Sequence, residues 1–266
     1  MSLLSWIIIF SLLGGVLSVV AASVFLALPK PLRTRLLPHT VSFAIGALLG
    51  AAFLALIPHA VTGTQRIEVH DLGLTILIGV LVFFLLEKMV IWRHCHVEDC
   101  DVHGAGHDAD THHEHGHNPA AGTLILVGDG LHNFVDGVLI AAAFMTDIHV
   151  GIVTSLAVAA HEIPQEVGDF AIMLNSGFSR LKALVFNVAA SLTTVVGALI
   201  AYFSLSDLLH LTPYVLGVAA SSFIYIAVAD LIPGLHKRSQ LHMTLQQVVL
   251  ICAGVLVIYW AHSTLH

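Results

Sequence analysis

The chain alternates long apolar runs with short polar breaks along its whole length. Eight of the runs are each close to the 20 or so mostly apolar residues that a helix needs to cross a bilayer. They cover residues 5–28, 40–61, 72–93, 121–144, 151–174, 182–204, 211–233 and 246–263. The pattern predicts an all-α polytopic membrane protein with eight transmembrane helices, numbered here as spans one to eight.

The composition supports this prediction. Hydrophobic residues make up 57% of the 266 residues and charged residues only 10%, with a mean hydropathy of +0.91, whereas a soluble domain carries about 25% charged residues. The opening residues MSLLSWIIIF lack the basic segment of a secretory signal peptide, so we expect them to belong to span one. Three cysteines are too few for a disulfide framework.

The basic residues predict the orientation of the spans. Only Arg66 falls in a loop that follows an even-numbered span, and the other nine share the opposite side: Lys30, Arg33, Arg35, Lys88, Arg93, Arg180, Lys182, Lys237 and Arg238. Basic residues concentrate on the cytoplasmic side of membrane proteins. We therefore expect both termini outside and the long loop after span three in the cytoplasm.

That long loop differs in chemistry from the rest of the chain. Residues 94–120 contain eight of the nineteen histidines, six acids and two cysteines, a composition that cannot bury a core. One interpretation is a solvated linker without a role. The other, which we favour, is weak capture of Zn²⁺ or a similar ion by His94, Cys95, His96, Cys100, His112, His113, His115 and His117. The chain then divides into spans one to three (1–93), this loop (94–120), spans four and five (121–174) and spans six to eight (175–266).

Spans four and five carry polar stripes on otherwise apolar helices. The polar positions recur at intervals of three and four residues, which places those of each span on one helical face. Ionisable residues in a span nearly always face the bundle interior or a water-filled cavity, because their exposure to lipid is costly. The positions are Asp129, His132, Asn133 and Asp136 in span four, and His161, Glu162, Gln165, Glu166 and Asp169 in span five.

These side chains are a mixed set of nitrogen and oxygen donors. Such a set suits Zn²⁺ and neighbouring ions such as Fe²⁺, Mn²⁺, Co²⁺ or Cd²⁺. The carboxylates of Asp136 and Glu162 alone match the charge of one divalent ion. Pro164 lacks an N–H and clashes with the preceding turn, so we expect the helix to bend or open beside the site. The metal is the expected substrate, and no separate cofactor or enzymatic activity is predicted.

Other interpretations of the same residues stay open at this point. A proton relay uses the same residue types, and Asn133 alone could be an interhelical hydrogen-bonding group. The pair His132 and Asp136 also fits an exporter of the cation-diffusion kind. HEIPQ at 161–165 approaches the H-E-x-x-H pattern of zinc hydrolases, but Gln165 replaces the second histidine.

The sequences HNFVDG in span four and HEIPQE in span five resemble the paired signatures of the ZIP (Zrt/Irt-like) metal transporters. The likeness extends to IGALLGAAFLALIPHA, LVFFLLEKMVIW and ASSFIYIAVADLIP in spans two, three and seven. It is strongest to the subfamily with a histidine-rich loop, whose fifth span typically carries HEIPHE. The resemblance implies a ZIP-type bundle of eight helices.

The resemblance also implies entry of divalent metal into the cytoplasm and frequent formation of homodimers. By motif match, His132, Asp136, His161 and Gln165 would form the principal site. Asn133 and Glu162 would form an adjoining site that shares Asp136. Histidine at position 161 favours zinc, whereas Gln165 removes one imidazole of HEIPHE.

Four residues have secondary or pathway roles in this interpretation: Asp129, Glu166, Asp169 and His59, the last as an entrance ligand at the outer end of span two. The expected partners are divalent metal ions, the lipid bilayer and a second copy of the chain, with no nucleic acid. Short loops favour a bacterial inner membrane as the location.

Overall fold

A computed structural model describes residues 1–63, 67–94, 119–236 and 241–265. In these ranges the chain is almost entirely helical and contains no strand. The eight predicted spans correspond to eight helical units, labelled α1 to α8: Leu3–Ala27, Lys30–Thr62, Val69–His94, Pro119–Thr146, Ile148–Asn175, Arg180–Leu205, Leu209–His236 and Leu241–Leu265.

Among the described residues, seven helices are long and apolar enough to cross a membrane by length and composition. The remaining unit, α5, has 28 residues, enough to span about 40 Å at 1.5 Å per residue, and the polar stripe accounts for its lower hydropathy. The prediction of an all-α polytopic membrane protein is confirmed.

Three pairs of helices run parallel and approach closely at glycines. In the pair α4 and α6, a Cβ atom added at Gly137 would lie 1.9 Å from the Thr194 carbonyl oxygen. A Cβ atom at Gly197 would lie 2.1 Å from the Phe134 oxygen. The pair α2 and α8 has the same arrangement at Gly46 and Gly254. Only glycine lets helix backbones approach this closely, a packing device typical of membrane helices. The third pair is α3 and α7.

The helix α5 lies among the others, in contact with α1, α2, α4, α6 and α8. It runs antiparallel to α4, so their polar stripes face each other. Two helices leave most of their apolar side chains exposed, because only 11% of the apolar window of α3 and of α8 is buried. The polar stripes are therefore central, as predicted, and the apolar surface is peripheral.

Departures from α-helical geometry occur at places that the sequence did not indicate. The helix α1 breaks at Gly15, where an added Cβ atom would lie 2.6 Å from the Ser191 carbonyl oxygen in α6. Six-residue π-helical segments interrupt α2 at Ala51–Leu56 and α7 at Ile226–Leu231. We expected α5 to bend or open at Pro164. It continues as a helix through this residue, so the opening is wrong and the bend stays a prediction.

Candidate metal centre

The adjacent helices α4 and α5 bring four metal-ligating side chains together. His132 and Asp136 come from α4, and His161 and Glu162 come from α5. One ligand atom from each lies within 4.8 Å of the others. The shortest distances are 3.3 Å from His161 Nε2 to His132 Nε2, 3.3 Å from His161 Nε2 to Asp136 Oδ2, and 3.4 Å from His132 Nε2 to Glu162 Oε1. We call these four residues the central cluster.

The ring of His161 is oriented by its own helix. Its Nδ1 atom lies 3.0 Å from the Ala157 carbonyl oxygen. Because a carbonyl can only accept a hydrogen bond, Nδ1 carries the proton and the Nε2 lone pair points into the central cluster. A histidine ligand held in this way by its second nitrogen is the usual arrangement at metal sites.

The acids of the central cluster have oxygens without hydrogen-bond partners. Both oxygens of Asp136 and both of Glu162 are buried and make no hydrogen bond within the described part of the chain, and only the two imidazoles approach them, at 3.3 Å or more. Burying a polar group without a compensating partner is costly, and burying a charge costs more. A cation among these oxygens would remove that cost, so the arrangement fits a metal site.

A second group of acids lies next to the central cluster. Asp129, Glu162 and Glu166 each place one carboxylate oxygen within 4.8 Å of the others. All three side chains are buried. Glu162 is therefore common to both groups, and the predicted sharing of Asp136 with an adjoining site that includes Asn133 stays a prediction. We call these three residues the carboxylate cluster.

Asn133 contacts the carboxylate cluster through its amide nitrogen. Its Nδ2 atom donates to Asp129 Oδ1 at 2.9 Å, and its Oδ1 atom accepts from Thr194 Oγ1 at 2.8 Å. Both ends of the amide are thus engaged, and Asn133 supports Asp129. Its expected role as a direct ligand stays a prediction.

The remaining candidates of span five, Gln165 and Asp169, line a cavity of about 530 Å³ beside the clusters. Asp129 and His132 reach the same cavity, and His132 is 23% exposed to it. Its other polar residues come from α3 and α7: Glu87, Tyr225 and Asp230, with the Tyr225 hydroxyl donating to Glu87. The cavity lies toward the end of the bundle at which α3, α5 and α7 finish. We call it the basic end, because six basic residues of the described chain lie toward it: Lys30, Arg33, Arg35, Lys88, Arg180 and Lys182.

His59 lies apart from both clusters, toward the opposite end of the bundle. Its Nδ1 atom lies 3.0 Å from the Ala55 carbonyl oxygen, and its ring centroid is 5.3 Å from that of His262 in α8. The expected loop ligands Cys95, His96, Cys100, His112, His113, His115 and His117 lie outside the described residues, as does the side chain of His94.

Sequence reasoning did not predict that Thr194 donates a hydrogen bond to Asn133. A signal was present, because Asn187, Ser191 and Thr194 recur at helical spacing in span six and are all buried. The hydrogen bond to Asn133 depends on the close approach of α4 and α6. That approach cannot be read from a single helix.

Comparison with known proteins agrees with the geometry. The family model described as ZIP Zinc transporter matches residues 2–261. "Zinc transporter ZIP13" of Pongo abelii is 33% identical over 94% of this chain and 76% of its own length. "Zinc transporter ZIP13" of Homo sapiens is 30% identical over 94% and 79%, and "Zinc transporter ZIP5" of Homo sapiens is 30% identical over 93% and 58%.

The match runs through all eight helical units and includes both signature segments. None of these findings supports an exporter of the cation-diffusion kind or a hydrolase. The chain belongs to the ZIP zinc transporter family.

Proposed function

We propose that the protein transports divalent metal cations through its membrane into the cytoplasm, with zinc as the first substrate and Fe²⁺, Mn²⁺, Co²⁺ and Cd²⁺ as further candidates. One observation carries the proposal. Four nitrogen and oxygen ligand atoms from two adjacent membrane helices converge within 4.8 Å in a buried place, and they border a cavity that lies toward one end of the bundle.

Each member of the central cluster has a distinct role in the proposal. His161, fixed by its helix, supplies a nitrogen ligand that favours zinc. Asp136 and Glu162 supply two negative charges to one divalent ion. His132 supplies the second nitrogen and faces the cavity, and Gln165 is within the same cavity as a weaker oxygen ligand.

The cavity defines the direction in which the ion would leave. Its acids Glu87, Asp169 and Asp230 belong to α3, α5 and α7, toward the basic end. If basic residues mark the cytoplasmic side, an ion released from the central cluster passes these acids toward the cytoplasm. His59, near the opposite end, would then face arriving ions.

The chain is an integral multi-pass membrane protein. Termini outside and loop 94–120 in the cytoplasm are part of the proposal, and they rest on the distribution of basic residues. The relatives compared above are vertebrate proteins, so they give no support to a bacterial inner membrane. The homodimer rests on the family resemblance, and α3 and α8 are the helices with the exposed apolar surface to form it.

The test is zinc uptake into proteoliposomes that contain the purified protein. We expect saturable uptake, and at least about a tenfold loss in His161→Ala and in Asp136→Ala, because tenfold corresponds to roughly 1.4 kcal/mol, which a single ligand should exceed. The matched control is His210→Ala, which removes an exposed histidine outside the clusters. Uptake equal to that of empty liposomes, or uptake unchanged in both cluster variants, would reject the proposal.

The hydrolase interpretation has its own discriminating result. Glu162 would be the general base of such an enzyme. Peptide cleavage that is lost in Glu162→Ala while zinc uptake persists would support a hydrolase over a transporter.

A further inference from the structure

Two histidines meet at the end of the bundle opposite the basic end, which we call the far end. His59 lies in the last turn of α2, and His262 lies in the last turn of α8. Their ring centroids are 5.3 Å apart, and the ring planes are inclined at 77°. Neither residue belongs to the central cluster or to the carboxylate cluster. We call these two residues the far pair.

The geometry of the far pair matches that of two imidazoles that share one ion. Zinc bonds to imidazole nitrogen at about 2.0–2.1 Å in tetrahedral sites, which places the centroids of two ligand rings about 5.2 Å apart. The two histidines of the central cluster, His132 and His161, have centroids 5.6 Å apart and ring planes inclined at 75°. The far pair therefore repeats the ring arrangement of the central cluster at a second place in the molecule.

His59 is oriented by its own helix in the way that a ligand requires. Its Nδ1 atom lies 3.0 Å from the Ala55 carbonyl oxygen, just as Nδ1 of His161 lies 3.0 Å from the Ala157 carbonyl oxygen. Because a carbonyl can only accept a hydrogen bond, Nδ1 carries the proton, and Nε2 is the atom with the lone pair. His59 and His262 are both half-buried, so an ion can reach them from the water at the far end.

The packing of α2 against α8 holds the far pair together. A Cβ atom added at Gly46 would lie 2.0 Å from the Ile251 carbonyl oxygen, and one added at Gly50 would lie 3.3 Å from the Cα atom of Val255. The second contact follows the first by one turn on both helices, so the two parallel helices keep one register toward the far end. Backbone contacts thus fix the positions of both imidazoles, which lowers the ordering cost of binding an ion.

The surroundings of the far pair favour a cation. Asp147, in the turn between α4 and α5, interacts electrostatically with His59, and its Oδ1 atom lies 3.1 Å from Nδ1 of His149. Other acids at this end are Glu68, Asp71 and Asp207, whereas every lysine and arginine whose position the structure describes lies toward the basic end. A surface with one sign of charge raises the local concentration of ions of the opposite sign.

We infer that His59 and His262 form a zinc-capture site at the far end, near the Asp147 carboxylate, and that this site holds the ion before it reaches the central cluster. The two sites are separate, because His161 follows His149 by twelve residues in α5, or about 18 Å at 1.5 Å per residue. Imidazole ligands favour zinc and similar ions over Mg²⁺ or Ca²⁺. The order of binding rests on the proposed function, whereas the presence of the site does not.

The test follows the reaction of single histidines with diethyl pyrocarbonate, which modifies imidazole nitrogens that no metal occupies. The full-length protein in detergent is treated with and without Zn²⁺ at constant pH, and mass spectrometry of peptides gives the rate at each histidine. This reading separates the far pair from residues 94–120, which are expected to bind zinc as well. Zinc at ten times its Kd should slow the reaction of His59 and of His262 by about tenfold. The exposed His210, at the same end, should keep its rate.

Reciprocal variants show whether the two imidazoles hold the same ion. His262→Ala should remove the protection of His59, and His59→Ala should remove that of His262, because one imidazole alone holds zinc weakly. His161→Ala, which disrupts the central cluster, should leave the far pair protected. Equal slowing at His210, or protection of His59 that survives His262→Ala, would overturn the site. Loss of protection in His161→Ala would also overturn it, because the protection would then come from filling the central cluster.

Zinc uptake into proteoliposomes tests the order of binding. The loss in His262→Ala should be greatest at low zinc and smallest at saturating zinc, because capture limits the rate only when ions are scarce. His210→Ala is the control. An equal fractional loss at every zinc concentration would overturn the role in capture. Absence of uptake by the wild type would reject the proposed function instead and would leave the protection results unaffected.

Discussion

At the scale of single residues, hydrogen bonds within the protein orient two side chains of the site. The Ala157 carbonyl sets which nitrogen of His161 is protonated, and Thr194 sets which way the Asn133 amide points. In the proposed function these contacts orient His161 directly, and Asp129 through Asn133, before an ion arrives, which lowers the ordering cost of binding.

Gln165→His would restore the second imidazole of the HEIPHE pattern. Gln165 borders the same cavity as His132, so the new ring adds a nitrogen ligand that zinc prefers over an amide oxygen. We expect the zinc affinity of the central cluster to rise by at least about tenfold, or roughly 1.4 kcal/mol, as measured by competition with a chelating dye. The control is Gln165→Ala, and equal affinities in the two variants would contradict the expectation.

Most of the site residues could be predicted from single-helix spacing. His132 and Asp136 are one turn apart, and so are Glu162 and Glu166, which is enough to place them on two faces. Spacing cannot give the register of α4 against α5, and that register decides that Glu162 belongs to both clusters. Nor can spacing within one helix show that Asn133 accepts a hydrogen bond from Thr194, which lies 61 positions later.

At the scale of helices, close glycine contacts join α4 to α6 and α2 to α8. Each contact places the backbone of one helix against that of its partner, so neither helix can accommodate a larger residue by rotating a side chain. The helix that supplies Asp136 and the one that supplies Thr194 are therefore held in one register.

Gly197→Ala should separate α4 from α6. The added Cβ atom would lie 2.1 Å from the Phe134 carbonyl oxygen, and overpacking of this kind typically costs 1–3 kcal/mol or more. We expect a lower thermal unfolding midpoint in detergent. The control is Gly128→Ala, because nothing lies within 4 Å of a Cβ atom there and alanine is favoured by about 1 kcal/mol inside a helix. An equal midpoint for the two variants would contradict the packing argument.

Asp147 caps the start of α5. Its Oδ1 atom accepts from the backbone amides of His149 and Val150 at 2.7 and 3.4 Å. Burial raises the pKa of the Asp147 carboxyl, but these hydrogen bonds and the nearby His149 and His59 together hold the pKa below its ordinary value of 3.8. A lowered pKa stabilises the fold above the ordinary value, and that stability is lost as the pH falls through the lowered one.

Asp147→Ala should therefore destabilise the protein by about 0.5–2 kcal/mol at neutral pH. The difference from the wild type should shrink below pH 3.8, as the wild-type carboxyl becomes protonated. Unfolding midpoints measured across pH test this, with the exposed acid removed by Asp207→Ala as the control. A difference that stays constant down to pH 2 would show that the cap is not electrostatic.

Helix bounds were largely predictable, whereas deviations within helices were not. The predicted span 121–144 corresponds to the helix Pro119–Thr146, and 151–174 corresponds to Ile148–Asn175. The bounds agree closely because the length of an apolar run and the polar breaks around it are local properties of the sequence. The π-helical segments of α2 and α7 and the break at Gly15 depend on neighbouring helices. Pro164 does not open α5, since membrane helices tolerate proline where neighbours satisfy the freed backbone.

At the scale of the whole molecule, the basic residues and the cavity point to the same end of the bundle. The acids Glu87, Asp169 and Asp230 line the cavity there, and Lys88 near the end of α3 and Arg180 at the start of α6 lie at the same end. The fold class could be predicted from hydropathy alone. The parallel pairing of α3 with α7 and of α2 with α8 could not be predicted from the sequence, because an apolar helix face packs equally well against lipid and against many other apolar helices.

The orientation can be tested with single cysteines in a background without Cys95, Cys100 and Cys252. Ser2→Cys should react with a membrane-impermeant maleimide added to intact cells. Ser179→Cys, which precedes α6 at the basic end, should react only after permeabilisation. Both serines are exposed, so each serves as the control for the other, and the reverse labelling pattern would contradict the predicted topology.

Glu162 belongs to both clusters, and this sharing has a consequence for the kinetics of transport. An ion that moves from the central cluster toward Asp129 and Glu166 would keep Glu162 as a ligand throughout. Its ligands would then be exchanged one at a time, and the ion would never have to leave all of them in a single step.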